Sequence, residues 1–217
     1  MDGARGSGAQ KVTYTFDKWF QYIKEAEGDI AIFSAQPTSI RWIGNERGTA
    51  GDPVWQKVKK AHITDNVTND YLNHGDPDGD MYSVGEADVS IRSGWFYHDN
   101  QQPKSLKELM EIYFKSVGRG TPLLLNIPPN KEGRFAEADV ARLKEFRATL
   151  DQMYATDFAK GAIVTASSTR KNHLYQASFL TDGNENTSWA PANDAKTGEF
   201  TCLLYTSDAA DDTPCVD

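Results

Sequence analysis

The sequence predicts an α/β fold, a parallel sheet with crossover helices, followed by an all-β segment. Two helical stripes, SLKELMEIYFKSVGRG and the stretch from about Ala136 to Met153, flank PLLLNIPP, an apolar run closed by prolines. Such a run fits a strand buried on both faces, and strands alternating with helices imply parallel pairing. At about Lys160 the composition turns to Thr, Ser, Asn and Ala in short alternating runs, which read as the opening of an all-β domain.

Taken in order, residues Thr15 to Glu27 read as a helix, because Phe16, Trp19, Phe20 and Ile23 recur at helical spacing and Gly28 can end it. DIAIFSA follows as a short buried strand. TSIRWIGNERGTAGDP reads as a long polar loop, residues 54–60 as a short helical piece, and residues 62–80 as irregular chain. ADVSIRSGWFYH reads as a strand leaving into an aromatic loop. Ser105 and Glu108 form a capping box ahead of the stripe Leu106, Leu109, Ile112, Tyr113 and Val117, and Gly118 stops that helix. Val140, Leu143, Phe146 and Leu150 share one face of the last helix. Three strands are too few to close a barrel of eight. The forty or so residues after Lys160 are too few for a sandwich of about 100.

The chain has 217 residues, 39% hydrophobic, 25% charged and 11% aromatic. Its net charge of −8 argues against a nucleic-acid partner, which needs a basic face. No apolar run approaches the roughly 20 residues of a membrane span. Residues 1–15 lack the pattern of a signal peptide. Cys202 and Cys215 lie in CLLYTSDAADDTPCVD, which resembles translated sequencing adapter. Residues 202–217 are therefore expected to be an adapter-derived artefact. Without Asp208, Asp211, Asp212 and Asp217 the charge is −4, and no cysteine remains.

Candidate catalytic groups are polar residues just after strands. Asp2 lies in MDGARGSG, where it is either a strand-end carboxylate or an Asx turn. Glu46 lies in SIRWIGNERG among Trp42, Ile43 and two glycines. Apolar surroundings raise a carboxyl pKa and suit a general acid, whereas pairing with Arg41 or Arg47 would make it a surface glutamate. GEADVSIRSGWFYH gathers Glu86, Asp88, Arg92, Trp95, Tyr97 and His98 at one strand end. An aromatic wall beside hydrogen-bonding groups suits a sugar, whose apolar face stacks while its hydroxyls find polar partners. A strand edge with satisfied core aromatics would look the same. Two carboxylates with an aromatic wall suggest glycoside hydrolysis.

Weaker signals are set aside. DPDGD opens like a calcium loop, but Met81 and Ala87 stand where that loop needs Gly and Glu. His62, His74, His98 and His173 lack ligand spacing. Asn66 and Asn186 match the glycosylation pattern, which arises often by chance.

MDGARGSGAQ, SIRWIGNERG, ADVSIRSGWFYH and SVGRGTPLLLNIPPNKEGR together resemble the α-L-fucosidases of glycoside hydrolase family 29. The nearer likeness is to the α-1,3/1,4 subfamily found in bacteria. The resemblance implies that residues 1–160 are the C-terminal part of an incomplete (β/α)8-type barrel. It implies a retaining exo-α-L-fucosidase acting on fucosylated glycans, with Asp2 as nucleophile, Glu46 as acid/base, and Trp95, Arg92 and Glu86 binding substrate. It implies no cofactor for catalysis, and a parent protein that is secreted or at the cell surface. A glycan-binding protein without catalysis, or another retaining glycosidase on the same barrel, is the alternative.

Residues 161–201 resemble the start of a discoidin-like, F5/8 type C carbohydrate-binding module. Asp182, Gly183 and Thr187 match the loop where such modules hold a structural calcium ion. The tryptophan that precedes M-D-G-A in the family is missing, as are the earlier strands. Met1 is thus expected to be internal to a longer gene, and the chain a fragment cut at both ends and inactive alone.

Overall fold

The computed structural model describes residues 15–34, 38–64, 67–171, 173–195 and 202–205. The chain divides into two compact units, Met1–Arg147 and Ala148–Asp217.

In the first unit, helix α1 (Phe16–Glu27) ends at Gly28, whose φ of 73° lets its N–H return to the Lys24 carbonyl. Phe16 meets the Trp19 ring edge-on at 5.3 Å and stacks on Phe20 at 6.0 Å, so the expected stripe forms. None of the helix is fully buried. Strands β1 (Phe33–Ser34) and β2 (Ile40–Trp42) follow, and β2 lies inside what reads in the sequence as a polar loop.

The chain then makes an excursion before it returns to the sheet. Strand β3 (Lys57–Val58) and strand β4 (Met81–Tyr82) pair antiparallel, with helix α2 (Asn69–His74) between them. Residues 57–58 are thus extended rather than helical, and a 3-10 turn (Lys60–His62) begins only at the end of the expected piece. The Trp55 N–H is taken by the His74 carbonyl at 2.7 Å, and the Lys57 carbonyl by the Asp76 N–H at 2.8 Å. Long-range backbone partners here outweigh local helical propensity. Helix α2, in chain expected to be irregular, is capped by the Thr68 hydroxyl, which accepts from the Tyr71 N–H at 3.1 Å. Val58, Ile63 and Leu72 form a small core under this excursion, packed against Trp42, Val67, Tyr71 and Met81.

Arg41 ties the excursion to the sheet. Its side chain is buried and donates to the carbonyls of Leu72 at 2.8 Å, Trp55 at 2.7 Å and Ser83. Burial lowers its pKa to about 10. Gly75, at φ 69°, must be glycine, since a Cβ there would stand 2.2 Å from the Trp55 carbonyl oxygen.

Strand β5 (Val84–Ser90) is the centre of the first unit. It pairs parallel with β2 (Trp42↔Glu86) and with strand β6 (Leu123–Asn126; Ser90↔Asn126), giving the order β1-β2-β5-β6. Helix α3 (Leu106–Ser116) crosses between β5 and β6, opened by the expected capping box at Ser105 and Glu108. Its buried positions are Leu109, Ile112 and Ser116, whereas Val117 is exposed. Helix α4 (Glu137–Met153) follows β6 with Val140, Leu143, Phe146 and Leu150 half-buried.

Alternation along β5 separates structure from chemistry. Gly85, Ala87 and Val89 are buried, and Ala87 joins the cluster of Ile43, Ala50 and Leu123. Glu86, Asp88 and Ser90 take the opposite face, as the two-residue strand period requires.

In the second unit, strand β7 (Ile163–Ala166) pairs antiparallel with strand β8 (Cys202–Tyr205). Residues 202–205, expected to be adapter-derived, are thus the partner of β7 here. The Arg170 N–H donates to the Ala190 carbonyl at 2.8 Å, and the Trp189 indole to the Ser168 carbonyl at 3.1 Å. Among the described residues no helix is long and apolar enough to cross a membrane.

Candidate active site

The C-terminal ends of β2, β5 and β6 carry the polar groups. After β2 the chain turns at Gly44, where φ is 78° and a Cβ would lie 2.5 Å from the Asn69 carbonyl oxygen. Asn45 then closes a tight turn, accepting from the Arg47 N–H at 3.1 Å and donating to the Thr49 carbonyl at 2.9 Å. The turn is pinned along β5, where the Gly48 N–H reaches the Asp88 carbonyl at 2.9 Å and Arg47 bridges Val89. Gly48 leaves no room for a side chain, because a Cβ would sit 2.7 Å from Ile112 and 3.1 Å from Val89.

This turn presents Glu46 to solvent rather than burying it. Its Oε2 accepts from the Trp95 indole N–H at 2.8 Å, so two residues 49 positions apart in the chain meet. Trp95 is held in turn by Asn126 at the end of β6, whose side-chain amide donates to the Trp95 carbonyl at 3.1 Å and the Ser90 hydroxyl at 3.0 Å. A second pair of the same kind lies alongside, with the Trp42 indole donating to Asp88 Oδ1 at 2.9 Å.

The carboxyls whose pKa burial raises are Glu86 and Asp88. For Glu86 the neighbouring Asp88 charge adds to the effect. For Asp88 the Trp42 N–H pulls the other way and the Glu46 charge adds. A carboxyl with a raised folded-state pKa holds its proton more tightly when folded. Its contribution is complete below the unfolded pKa and is lost as pH rises through the folded one. Glu86→Gln, which never ionises, is therefore expected to melt above wild type at about pH 7 and to lose that advantage at about pH 3. Paired thermal melts check this, and a variant less stable at both pH values would refute it.

The expected site residues do not all meet. Glu46 and Trp95 touch, and Glu86 stands two residues before Asp88 on the same face of β5. Arg92 points inward instead, where it is 3% exposed and its Nε lies 2.9 Å from Oδ2 of the fully buried Asp139. It also donates to the His98 carbonyl at 3.3 Å and to the Gln101 carbonyl, and lies 4.7 Å over the Tyr97 ring. These contacts make it the anchor of the loop between β5 and α3. Asp2 and Asn66 lie outside the described residues.

In the second unit, Asp182 accepts from the Asn184 N–H at 2.8 Å and the Thr187 hydroxyl at 2.7 Å. Gly183 sits between them at φ 71°. Calcium takes six to eight oxygens, and the side chains of Asp182, Asn184 and Thr187 supply oxygens in this loop. Among the described residues no three His, Cys, Asp or Glu side chains cluster as metal ligands.

Asn126 and the contact between Trp42 and Asp88 are what sequence reasoning missed, although Asp88 itself stood among the candidates. The signal for Asn126 was a polar residue closing the apolar run LLL. Trp42 reads in the sequence as a packing residue beside Glu46, and nothing local tells that its N–H is used 46 positions away.

A family model described as Alpha-L-fucosidase matches residues 39–153. The chain is 36% identical over 195 residues to Alpha-L-fucosidase 1 of Arabidopsis thaliana, covering 88% of this chain and 38% of that protein. It therefore spans under two-fifths of the length of that curated relative. The crystal structure of SpGH29 superposes with a TM-score of 0.85 at 56% identity, covering 90% of this chain and 43% of that one. A Ruminococcus gnavus GH29 fucosidase in complex with fucose gives a TM-score of 0.78 at 38% identity, covering 90% and 42%.

Proposed function

The chain belongs to the alpha-L-fucosidase family, and from that premise we propose that its protein is a retaining exo-α-L-fucosidase of the α-1,3/1,4 subfamily. The observation that carries this reading is the Glu46 carboxylate, set at a strand end with one oxygen on the Trp95 indole at 2.8 Å. Its other oxygen is left to carry the proton. Asp2 attacks the anomeric carbon as the bond to the leaving oxygen breaks, and Glu46 gives its proton to that oxygen. Glu46 then takes a proton from water, which attacks the anomeric carbon, releases fucose and restores Asp2. Two carboxyls working this way stand about 5–5.5 Å apart.

In this reading the four parallel strands belong to a (β/α)8 barrel, and residues 161–201 open a discoidin-like module able to hold a structural calcium ion at Asp182 and Thr187. The protein acts on fucosylated glycans outside the cell. The test is proton NMR of the first sugar released from an α-1,3-fucosylated oligosaccharide. The α-anomer is expected, and Asp2→Ala is expected to abolish its formation. Release of the β-anomer first, or turnover by Asp2→Ala, would remove the double-displacement reading.

A further inference from the structure

Asp88 is half-buried on β5, and among the described residues no lysine or arginine forms an ion pair with it. Burial raises its pKa, and the Glu46 charge adds to the rise. Burying a carboxylate without a counter-ion works against folding. Groups held at such a cost gather where function needs them.

Asp88 grips both arms of the turn that carries Glu46. On the leading arm its Oδ1 accepts from the Trp42 indole N–H at 2.9 Å, four residues before Glu46. On the returning arm its backbone carbonyl accepts from the Gly48 N–H at 2.9 Å, two residues after Glu46. Trp42 is in register with Glu86, which places its side chain on the same face of the sheet as that of Asp88. Trp42 also packs against the small core of Val58, Ile63 and Leu72. The indole is thus braced by the excursion on one side and drawn to Asp88 on the other.

We propose that Asp88 is a positioning residue for Glu46, setting its carboxyl where a leaving oxygen can take the proton. The proposal rests on the reading of Glu46 as the acid. Glu46 is exposed and meets the Trp95 indole at 2.8 Å, so its pose depends on where the turn sets its backbone. A general acid works only within hydrogen-bond reach of the atom it protonates, and a misplacement of about 1 Å can cost about a hundredfold. Asparagine at position 88 keeps an acceptor for the Trp42 indole and drops the charge, whereas alanine drops both. The backbone hold on Gly48 remains in either variant.

The test combines kinetics with the indole N–H resonances of the full chain, read by NMR. The chain has five tryptophans, and the signals of Trp42 and Trp95 are identified by their loss in Trp42→Phe and Trp95→Phe. Asp88→Ala is expected to move the Trp95 signal as well as that of Trp42, and Asp88→Asn to leave the Trp95 signal in place. On a fucosylated oligosaccharide, Asp88→Ala is expected to lower kcat/KM about tenfold, as loss of one bond to a charged group should. The first step with α-L-fucosyl fluoride, which needs little help from an acid, should slow by less than about twofold. Asp88→Asn should recover most of the oligosaccharide rate. If Asp88→Ala does not fold, Trp42→Phe carries the same test, since it keeps an aromatic ring against the small core and removes the N–H. A Trp95 signal that stays in place in the folded variant, equal losses on both substrates, or an Asp88→Asn as damaged as Asp88→Ala overturns the proposal. If the wild-type protein releases no fucose, the fucosidase reading fails, and the Trp95 signal alone decides whether Asp88 positions Glu46.

Discussion

Glu46→Ala is expected to lower kcat/KM on a fucosylated oligosaccharide by about a thousandfold, within the ~10²–10⁴ that a positioned general acid supplies. A sugar alkoxide is a poor leaving group and needs the proton as the bond breaks. Fluoride needs far less help. The first step with α-L-fucosyl fluoride should therefore survive in the variant, while the second step slows, because no base remains to activate water. A burst of fluoride release followed by slow turnover is the expected trace, and added azide should speed the second phase. If both substrates lose rate equally in both steps, Glu46 is not the acid. Trp95→Phe, which removes the N–H on Oε2 together with the indole's five-membered ring, should give a milder version of the same pattern.

Asp139→Ala is expected to destabilise the first unit strongly. Arg92 is 3% exposed and Asp139 not at all, and removing one partner of a buried pair strands the other charge. Such losses run to about 3–5 kcal/mol. At about 2–4 °C per kcal/mol for a chain of this size, the melting temperature should fall by roughly 6–20 °C. The loop bearing Trp95 and Gln101 should loosen as well, since Arg92 also holds the carbonyls of His98 and Gln101. Replacing both partners, as Arg92→Met with Asp139→Leu, should recover much of the loss, because no charge is then left buried. A melting temperature for Asp139→Ala within a degree of wild type would show that the pair carries little.

What the sequence made legible was governed by local rules. The capping box at Ser105, the glycine stop at Gly28 and the stripe of α4 all act within a few residues, and each stands where expected. Strand β2 escaped because three residues are too few to show a period. Residues 54–60 were misread because their partners lie at residues 74–83, far along the chain. The site divides in the same way. Glu46 and Trp95 were each visible as residue types suited to a sugar, but their contact crosses from the end of β2 to the loop after β5. Arg92 looks the same in sequence whether it reaches for a ligand or for Asp139, and only its burial tells them apart.

The buried guanidinium of Arg41 bears on how this region can change over time. All its partners in the excursion are backbone carbonyls, at Trp55, Leu72 and Ser83. Every residue type carries a carbonyl, so these bonds place no demand on which side chains occur there. They do demand that the carbonyls arrive at fixed points in space. The excursion is therefore tolerant of replacement at those positions as far as Arg41 is concerned, but intolerant of added or deleted residues that would move them. For Arg41, the spelling of residues 55, 72 and 83 matters little, and the number of residues between them matters a great deal.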